Sequence, residues 1–252
     1  MFPELTLGPL VLPTGGLTYI LGAWVVLSLI ERLARALRLP AEQVYNLAAL
    51  SLASGFVGAR IVFVALHWSA YEDSLVNIVW PLTSGFDFWG GIVIGLAAGF
   101  FYGRAKQLPP AATLDALAPG LIVALMVVSL ADFLAGPGYG VQSNVPWAIS
   151  VFGIERHPVQ LYELLVGAAA LAAWWRWLPL RRFAGQLFLV SIAVYSGGRL
   201  FVDAYRANAW LTPNGYHIVQ IVSLMVLLAT VYLLGRETVA TQDEARSPMA
   251  AP

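Results

Sequence analysis

Residues 113–136 read TLDALAPGLIVALMVVSLADFLAG, an apolar run interrupted by only two charged side chains. About 20 such residues in a helix are enough to cross roughly 30 Å of hydrocarbon. Six further runs of similar character lie at 17–37, 44–68, 88–103, 158–177, 185–205 and 216–234. Continuous runs of this length favour helices over barrel strands, which alternate apolar and polar residues over about ten positions. The sequence therefore predicts an all-α, polytopic membrane protein with about seven transmembrane helices.

The composition of the 252-residue chain supports this prediction. Hydrophobic residues make up 59% of the chain, charged residues only 11%, and the mean hydropathy is +0.74. Soluble domains carry about 25% charged residues. Fourteen basic residues balance fourteen acidic ones, so no basic field favours nucleic acid as a partner. The chain has no cysteine and no ligand cluster at metal spacing, so we expect neither a metal nor another cofactor.

The basic residues predict the orientation of the helices. Ten of the fourteen fall on one side of the predicted bundle, which the positive-inside rule makes cytoplasmic. These ten are Arg32, Arg35, Arg38, Arg104, Lys106, Arg176, Arg181, Arg182, Arg236 and Arg246. The N-terminus is then outside and the C-terminus inside. Residues 1–237 form the predicted seven-helix domain, and the polar residues 238–252 are predicted to be a disordered cytoplasmic tail.

Four arginines depart from this pattern: Arg60, Arg156, Arg199 and Arg206. An arginine inside a helix span costs roughly 2.5–3.5 kcal/mol on insertion scales, so it normally faces a partner or a polar cavity. One interpretation pairs each with a nearby acid, Arg199 with Asp203 and Arg156 with the glutamate before it. The other places the four together toward the outer leaflet as an anion site, because guanidinium groups match phosphate geometry.

The sixth predicted span carries the sharpest pattern. Tyr195, Arg199 and Asp203 recur at i, i+4 and i+8, and Arg206 falls on the same helical face. We expect Asp203 to hold both arginines while their remaining donors stay available to an anion.

The fifth predicted span begins with RHPVQLYE at 156–163. His157, Gln160 and Glu163 are spaced by three, so an imidazole, an amide and a carboxylate share one face near the outer end of the helix. An imidazole changes its charge near neutral pH and can accept a proton. The alternative is an interfacial histidine with Glu163 paired to an arginine. The two other histidines are interpreted as interfacial residues without a visible site: His67 and His217.

Together these motifs resemble the prolipoprotein diacylglyceryl transferases of bacterial inner membranes. The family's H-P-x-Q-L-Y-E motif is matched in full at 157–163. Its sixth-helix arginine, with an acid four residues later, resembles Arg199 and Asp203, followed by Arg206, and Tyr195 falls on a tyrosine of the family. Weaker matches lie at 7–9, 58–60, 88–91, 115 and 118–119.

The chain also departs from the family pattern. The third-helix segment, F-H-G-G in the family, has Trp89 in place of the histidine. The signature G-R-x-G-N-F-x-N-x-E aligns with 128–137. Six of its seven fixed residues differ here, among them Ser129 for the arginine, Asp132 for the first asparagine and Pro137 for the glutamate.

The resemblance implies a reaction in which diacylglycerol moves from phosphatidylglycerol to the cysteine thiol of a prolipoprotein and forms a thioether. Under this reaction His157 is the expected base that accepts the thiol proton, with Glu163 or Asp132 as alternatives. The arginines are expected to bind the phosphate, and Asp203 to position them. The predicted catalytic residues are His157, Arg199, Asp203, Glu163 and Tyr195. The predicted substrate-binding residues are Arg60, Arg206, Arg156, Gln160, Tyr162 and Asp132.

The implied partners are phosphatidylglycerol or another anionic phospholipid and a lipobox peptide, and the implied location is the bacterial cytoplasmic (inner) membrane, with multiple passes. The chain has no cysteine, so the reacting thiol would belong entirely to the substrate. One alternative is a non-catalytic or re-purposed relative that binds an anionic lipid. Another is a proton-coupled transporter, because charged residues within a membrane often mark such a route. The sequence does not indicate an oligomeric state.

Overall fold

The computed structural model describes residues 4–7, 10–72, 76–79, 85–136, 138–151 and 153–246. Within these ranges the chain forms eight α-helices and two short antiparallel hairpins. The helices are α1 Thr14–Ala36, α2 Ala41–Leu66, α3 Val76–Val79, α4 Phe88–Ala105, α5 Pro110–Ala135, α6 Val159–Trp177, α7 Gln186–Val202 and α8 Ile218–Arg246. The hairpins pair β1 Glu4–Leu7 with β2 Leu10–Pro13, and β3 Ile149–Val151 with β4 Ile154–Arg156. Single 3₁₀ turns occupy Trp68–Ala70, Leu178–Leu180 and Asp203–Tyr205.

Six helices in the described part of the chain are long and apolar enough to span a membrane. They are Thr14–Ala36, Ala41–Leu66, Phe88–Ala105, Pro110–Ala135, Gln186–Tyr205 and Ile218–Thr241. Each corresponds to one of the runs predicted from the sequence. The prediction of an all-α polytopic membrane protein is therefore confirmed.

The seventh predicted run, 158–177, forms the 19-residue helix α6 but is not among these six. Its mean hydropathy is lowered by the polar side chains of Gln160, Glu163 and Arg176. Gln160 and Glu163 are buried within the protein, so they face other helices. The number of crossings and their orientation stay predictions.

The last helix is longer than the sequence predicts. We expected a disordered tail from residue 238, but α8 continues through Thr238 to Arg246. The Thr238 hydroxyl donates to the Leu234 carbonyl at 2.6 Å, as a threonine inside a helix does. Five of the nine residues in 238–246 are alanine, glutamine, glutamate or arginine, which propagate a helix well even when solvated. Residues 247–252 lie outside the described residues.

The chain divides into two compact units, Ile30–Thr113 and the combination of Met1–Leu29 with Leu114–Pro252. In the Ile30–Thr113 unit, α2 packs against α4 with their backbones close together. A Cβ built on Gly95 would lie 2.7 Å from the Ser51 carbonyl oxygen. Glycine at such a contact lets two membrane helices approach closely.

The unit formed by Met1–Leu29 and Leu114–Pro252 contains the N-terminus, and we call it the first unit. In it α6 packs on α7 and α7 on α8. A Cβ at Gly198 of α7 would lie 2.5 Å from side-chain carbons of Val166 on α6, so these two helices are also closely spaced. Trp174 of α6 is fully buried, and its indole N–H donates to the Asp115 carbonyl on α5 at 2.9 Å. These contacts hold α5, α6 and α7 around a common core.

An irregular strand around Val141 ties the N-terminal end of α6 to the C-terminal end of α7. The Val141 amide donates to the Tyr205 carbonyl at 2.8 Å, and the Ala207 amide donates to the Tyr139 carbonyl at 3.1 Å. On its other edge, the His157 amide donates to the Val141 carbonyl at 3.0 Å. The two segments with the strongest sequence motifs therefore meet at one end of the first unit.

Candidate functional site

The first unit contains a cavity of about 410 Å³ beside these motif-bearing segments. Its walls come from α5, α6, α7, the 3₁₀ turn after α7, the following loop and the start of α8. The apolar lining residues are Leu125, Val128, Trp210 and Val219. The polar lining residues are Ser129, Asp132, Glu163, Tyr195, Arg199, Asp203, Arg206 and Asn208. Six of the eleven residues predicted as a site therefore line this one cavity: Asp132, Glu163, Tyr195, Arg199, Asp203 and Arg206.

Glu163 is the centre of the polar network. Its side chain is 4% exposed, and its Oε1 accepts hydrogen bonds from Nη1 of Arg199 and Nη2 of Arg206. Its Oε2 accepts from the Ser129 hydroxyl at 2.7 Å. Breaking a buried ion pair by removing one partner typically costs about 3–5 kcal/mol, because the other charge is left uncompensated. Glu163 therefore fixes both guanidinium groups at the wall of the cavity.

The prediction that Asp203 holds both arginines is wrong, because Glu163 of α6 takes that role. Asp203 instead places Oδ2 at 2.9 Å from Nδ1 of His217, and its buried Oδ1 has no hydrogen-bond partner in the described part of the chain. The physical reason is that α7 ends at Val202. The chain tightens into a 3₁₀ turn at Asp203, which changes the rotation per residue and turns the carboxylate away from the face assumed for a continuing α-helix.

His217 is a residue that the sequence interpretation missed. It is 14 positions from Asp203 and was interpreted as interfacial. The loop between them folds back on itself: the Ile218 amide donates to the Trp210 carbonyl at 2.9 Å, and Leu211 forms an isolated bridge with His217. No local sequence signal indicates this return of the chain.

Arg156 does not pair with the preceding glutamate and does not line the cavity. Its Nη1 donates to the Gly140 carbonyl at 3.2 Å, and its guanidinium carbon lies 4.6 Å from the centre of the Tyr139 ring. Main-chain bonding and cation–π stacking of this kind hold a loop in place. In this structure Arg156 therefore supports the irregular strand next to the cavity.

His157 and Tyr162 are brought together, but neither is among the residues that line the cavity. Nδ1 of His157 lies 3.0 Å from the Tyr162 hydroxyl oxygen, which accepts a hydrogen bond from the Trp147 indole at 2.7 Å. The His157 ring also packs on Tyr205, with 4.8 Å between ring centres. Gln160 is fully buried and lies outside the lining as well.

Arg60 belongs to the Ile30–Thr113 unit, where its donors meet main-chain oxygens. Nε donates to the Ile78 carbonyl at 2.9 Å, Nη1 to Gly85 at 2.9 Å and Nη2 to Asn77 at 2.5 Å. The guanidinium also lies 5.4 Å from the centre of the Tyr71 ring. These bonds let Arg60 hold the segment around α3, and its binding of phosphate stays a prediction.

The positions where the chain departs from the family motif fall into three places. Ser129 and Asp132 line the cavity, and Ser129 uses its hydroxyl to bind Glu163. Trp89 lies in the Ile30–Thr113 unit and is largely exposed. Pro137 lies outside the described residues. The replacement of an arginine by Ser129 leaves two guanidinium groups in the cavity lining, together with three carboxylates.

The fold and this cavity define a multi-pass helical membrane protein with an arginine-containing polar site in a cavity lined by several of its helices. The model of the family "Prolipoprotein diacylglyceryl transferase" matches residues 4–236. The chain belongs to this family, which confirms the resemblance found in its motifs.

Curated relatives carry the name phosphatidylglycerol–prolipoprotein diacylglyceryl transferase. The chain is 27% identical to the protein of Clostridioides difficile over 204 residues, which cover 79% of this chain and 82% of the relative. It is 27% identical to the protein of Thermosynechococcus vestitus over 235 residues, covering 88% and 87%. It is 28% identical to the protein of Corynebacterium efficiens over 268 residues, covering 95% and 83%. These relatives are named as transferases.

Proposed function

We propose that this protein transfers the diacylglyceryl group of phosphatidylglycerol to the cysteine thiol of a prolipoprotein, in the bacterial cytoplasmic membrane. The observation that carries the proposal is the pair of arginines, Arg199 and Arg206, that Glu163 fixes at the wall of one cavity. The names of the curated relatives support the same reaction.

The arginine pair suits a reaction in which a phosphate leaves. As the carbon–oxygen bond to the phosphate breaks, negative charge builds on the departing oxygen, and fixed donors aimed at that charge lower the barrier. Arg199 and Arg206 each use one guanidinium nitrogen for Glu163, and a guanidinium has five N–H donors. Their remaining donors can bind the phosphate, while Glu163 acts as a positioning residue. Tyr195, on the same cavity wall, can donate to the headgroup.

The rest of the cavity suits the lipid part of the substrate. Leu125, Val128 and Val219 give its wall an apolar portion beside the arginines. A ligand site that combines an apolar wall with a few converging polar groups is typical of small-molecule binding. We therefore assign the glycerol and the first carbons of the acyl chains to the apolar portion and the phosphate to the arginines.

A second candidate function is the binding of an anionic lipid without transfer. The specific observation in its favour is the pair Ser129 and Asp132, which stand in the cavity lining at the positions of the family's arginine and asparagine. With a hydroxyl and a carboxylate there, the cavity has one guanidinium fewer and one negative charge more. Both changes weaken the stabilisation of a leaving phosphate.

One assay separates these candidates. Purified protein is incubated with phosphatidylglycerol labelled in its acyl chains and a peptide with a single lipobox cysteine, and the thioether product is measured by mass spectrometry. We expect product from the wild type and about a 100-fold or greater loss for Arg199→Ala, as for removal of one transition-state donor.

The matched control is Arg236→Ala, which removes an arginine from the same unit. Arg236 is exposed and pairs with its neighbour Glu237, so we expect this variant to keep the wild-type rate. Absence of product from well-folded wild-type protein would contradict the transferase proposal. Selective binding of phosphatidylglycerol in that case would support the second candidate.

A further inference from the structure

His217 and Asp203 form a pair at the edge of the cavity that the motif-based prediction did not include. Nδ1 of His217 lies 2.9 Å from Oδ2 of Asp203. Asp203 is fully buried and lines the cavity, and its Oδ1 is also buried without a hydrogen-bond partner in the described ranges. Burying a carboxylate with one imidazole partner and one unpaired oxygen costs free energy. A role in orienting that imidazole for a reaction would explain why the protein keeps it.

The pairing determines which nitrogen of His217 can react. A carboxylate accepts hydrogen bonds, so in the tautomer of His217 that donates from Nδ1 to Asp203, Nε2 presents its lone pair. No hydrogen bond engages Nε2 within the described part of the chain. The His217 side chain is 27% exposed, so part of the imidazole is accessible.

The folding of the loop sets this pair beside the cavity. Trp210, whose carbonyl accepts a hydrogen bond from the Ile218 amide at 2.9 Å, lines the cavity. Val219, two residues after His217, also lines it. His217 is thus flanked by lining residues and joined to a third, Asp203.

On the basis of the proposed function, we propose that His217, oriented by Asp203, accepts the proton of the substrate thiol. Nε2 of His217 takes the S–H proton. The sulfur lone pair forms a bond to the carbon of the diacylglyceryl group that carries the phosphate in phosphatidylglycerol. The bond between that carbon and the phosphate oxygen breaks, and its electron pair stays on the oxygen, so glycerol phosphate leaves. The imidazolium then returns its proton to glycerol phosphate or to water.

The charges around His217 suit this role. The imidazolium formed during the step lies in direct contact with the Asp203 carboxylate, which stabilises it. The charged and titratable groups that line the cavity beside this pair, from α5, α6, α7, the 3₁₀ turn and the loop, are Asp132, Glu163, Tyr195, Arg199, Asp203 and Arg206. Glu163 offsets part of the positive charge of Arg199 and Arg206. These two arginines therefore oppose protonation of the His217 imidazole only in part.

His217 also fits better than His157, the base that the family motif suggests. Nδ1 of His157 faces the hydroxyl of Tyr162, a neutral group, and the ring is packed on Tyr205. It therefore lacks the carboxylate that would stabilise its charged form. A base needs a partner that orients it, and of these two histidines it is His217 whose Nδ1 faces a carboxylate.

The test uses the full-length protein in the thioether assay. His217→Gln keeps an amide donor for Asp203 but cannot take a proton. We expect a fall of about 10²- to 10⁴-fold in the rate at neutral pH, which is the usual contribution of a general base. The loss should shrink as the pH rises, because the thiol then ionises without help.

Two further histidine variants serve as comparisons. His67→Gln removes an exposed imidazole of the Ile30–Thr113 unit that faces the Phe63 carbonyl, and it should keep the wild-type rate. His157→Gln tests the rival base, and we expect a loss of less than about tenfold. A larger and pH-dependent loss for His157→Gln than for His217→Gln would overturn the inference.

Chemical rescue distinguishes a proton acceptor from a residue that only maintains the fold. Added imidazole should restore part of the activity of His217→Ala, since that variant leaves space for the missing ring, and should have no effect on Arg199→Ala. Asp203→Asn should move the pH profile of the rate toward lower pH, because the imidazolium loses its carboxylate partner.

The outcomes separate this inference from the proposed function. If the wild type forms no thioether, both fail. If the wild type is active and His217→Gln keeps its rate and pH profile, the inference alone fails. Binding of labelled phosphatidylglycerol, expected to be unchanged in His217→Gln and weakened in Arg199→Ala, provides a readout that does not depend on turnover.

Discussion

The first unit buries two carboxylates that both pair with arginine, yet their surroundings differ. Asp115, near the start of α5, is fully buried and accepts hydrogen bonds from the amides of Gly185 and Phe188, each at 2.8 Å. Arg181 completes its shell at 3.0 Å. In the described part of the chain, Glu163 is bound only by side chains, namely those of Arg199, Arg206 and Ser129.

The difference lies in what each carboxylate organises. The oxygens of Asp115 bind the N-terminal turn of α7, where helix amides are otherwise unpaired and the helix dipole favours a negative charge. Glu163 organises two arginine side chains at the wall of a cavity. A buried charge is therefore poor evidence for a functional site by itself. Partners that are side chains with spare donors, next to a cavity, are the more informative observation.

The strongest test of this contrast is Glu163→Gln. The amide keeps the shape of the side chain but removes the charge that holds two guanidinium groups together, so Arg199 and Arg206 repel each other and lose their fixed direction. We expect a loss of about 100-fold or more in thioether formation, comparable to the loss of a transition-state donor.

The matched control is Glu155→Gln, an exposed glutamate on the β3–β4 hairpin, which should leave the rate unchanged. Size-exclusion chromatography in detergent confirms that each variant is folded. Wild-type turnover in folded Glu163→Gln protein would show that the arginine pair does not act in the reaction.

The second test is Asp115→Asn, which should affect stability and not chemistry. One amide group replaces a carboxylate oxygen, so at least one of the buried donors from Gly185, Phe188 or Arg181 loses its acceptor. An unpaired buried donor costs about 1–3 kcal/mol. We expect a lower unfolding temperature and, per folded molecule, a transferase rate within about twofold of wild type, as is usual away from the reacting groups.

A selective loss of turnover in well-folded Asp115→Asn protein would contradict the distinction between the two carboxylates. The comparison variant Arg181→Gln should reproduce part of the stability loss, because it removes the same ion pair from the other side. Thermal unfolding and turnover measured on one preparation give both values.

The two carboxylates also show how far the sequence determines the molecule. Long apolar runs predict the membrane helices because burial in lipid requires them. The spacing within each helix likewise places Glu163, Arg199 and Arg206 in the site. The sequence offers the pairing of Glu163 with an arginine as one alternative. It could not predict which arginines pair with Glu163, since that depends on α7 ending at Val202 and on how α6 packs beside it.

The same limit applies to residues that a loop brings together. His217 meets Asp203 only because the intervening loop returns to the start of α8. Arg60 meets the carbonyls of Asn77, Ile78 and Gly85 because that segment folds over α2. Neither contact has a periodic signature, so helical spacing gives the face of a residue but not its partner.

The third prediction concerns Asp132, a carboxylate that lines the same cavity as Glu163. It lines the cavity without a direct ion pair to either arginine in the described part of the chain. Asp132→Asn removes a negative charge that repels a phosphate. At an effective dielectric constant of about 20, a charge several ångströms away changes binding by roughly 1–2 kcal/mol.

We therefore expect Asp132→Asn to bind phosphatidylglycerol about five- to thirtyfold more tightly, in proportion to that energy, and to lower the KM of the transfer reaction. Binding to vesicles that contain labelled phosphatidylglycerol provides the measurement, with neutral phosphatidylcholine vesicles as the control. Weaker binding of phosphatidylglycerol by this variant would mean that Asp132 contacts the headgroup directly.

The smallest expected effect is that of Gly138→Ala, which tests the space between Asp132 and Arg206. Gly138 has a φ of +75°, and a Cβ there would lie 3.0 Å from Oδ2 of Asp132 and 3.1 Å from Nη1 of Arg206. Gly153 on the β3–β4 hairpin has a φ of +76° with no atom within 4 Å of its Cβ position in the described structure. Both alanines carry a similar backbone strain of about 1–2 kcal/mol, but only the one at Gly138 pushes on an arginine of the cavity.

We expect similar losses of thermal stability for the two variants and a rise of about two- to threefold in KM for Gly138→Ala alone, which corresponds to less than 1 kcal/mol. Equal KM values would show that the position of Arg206 tolerates this displacement and that Glu163 by itself sets the direction of the guanidinium.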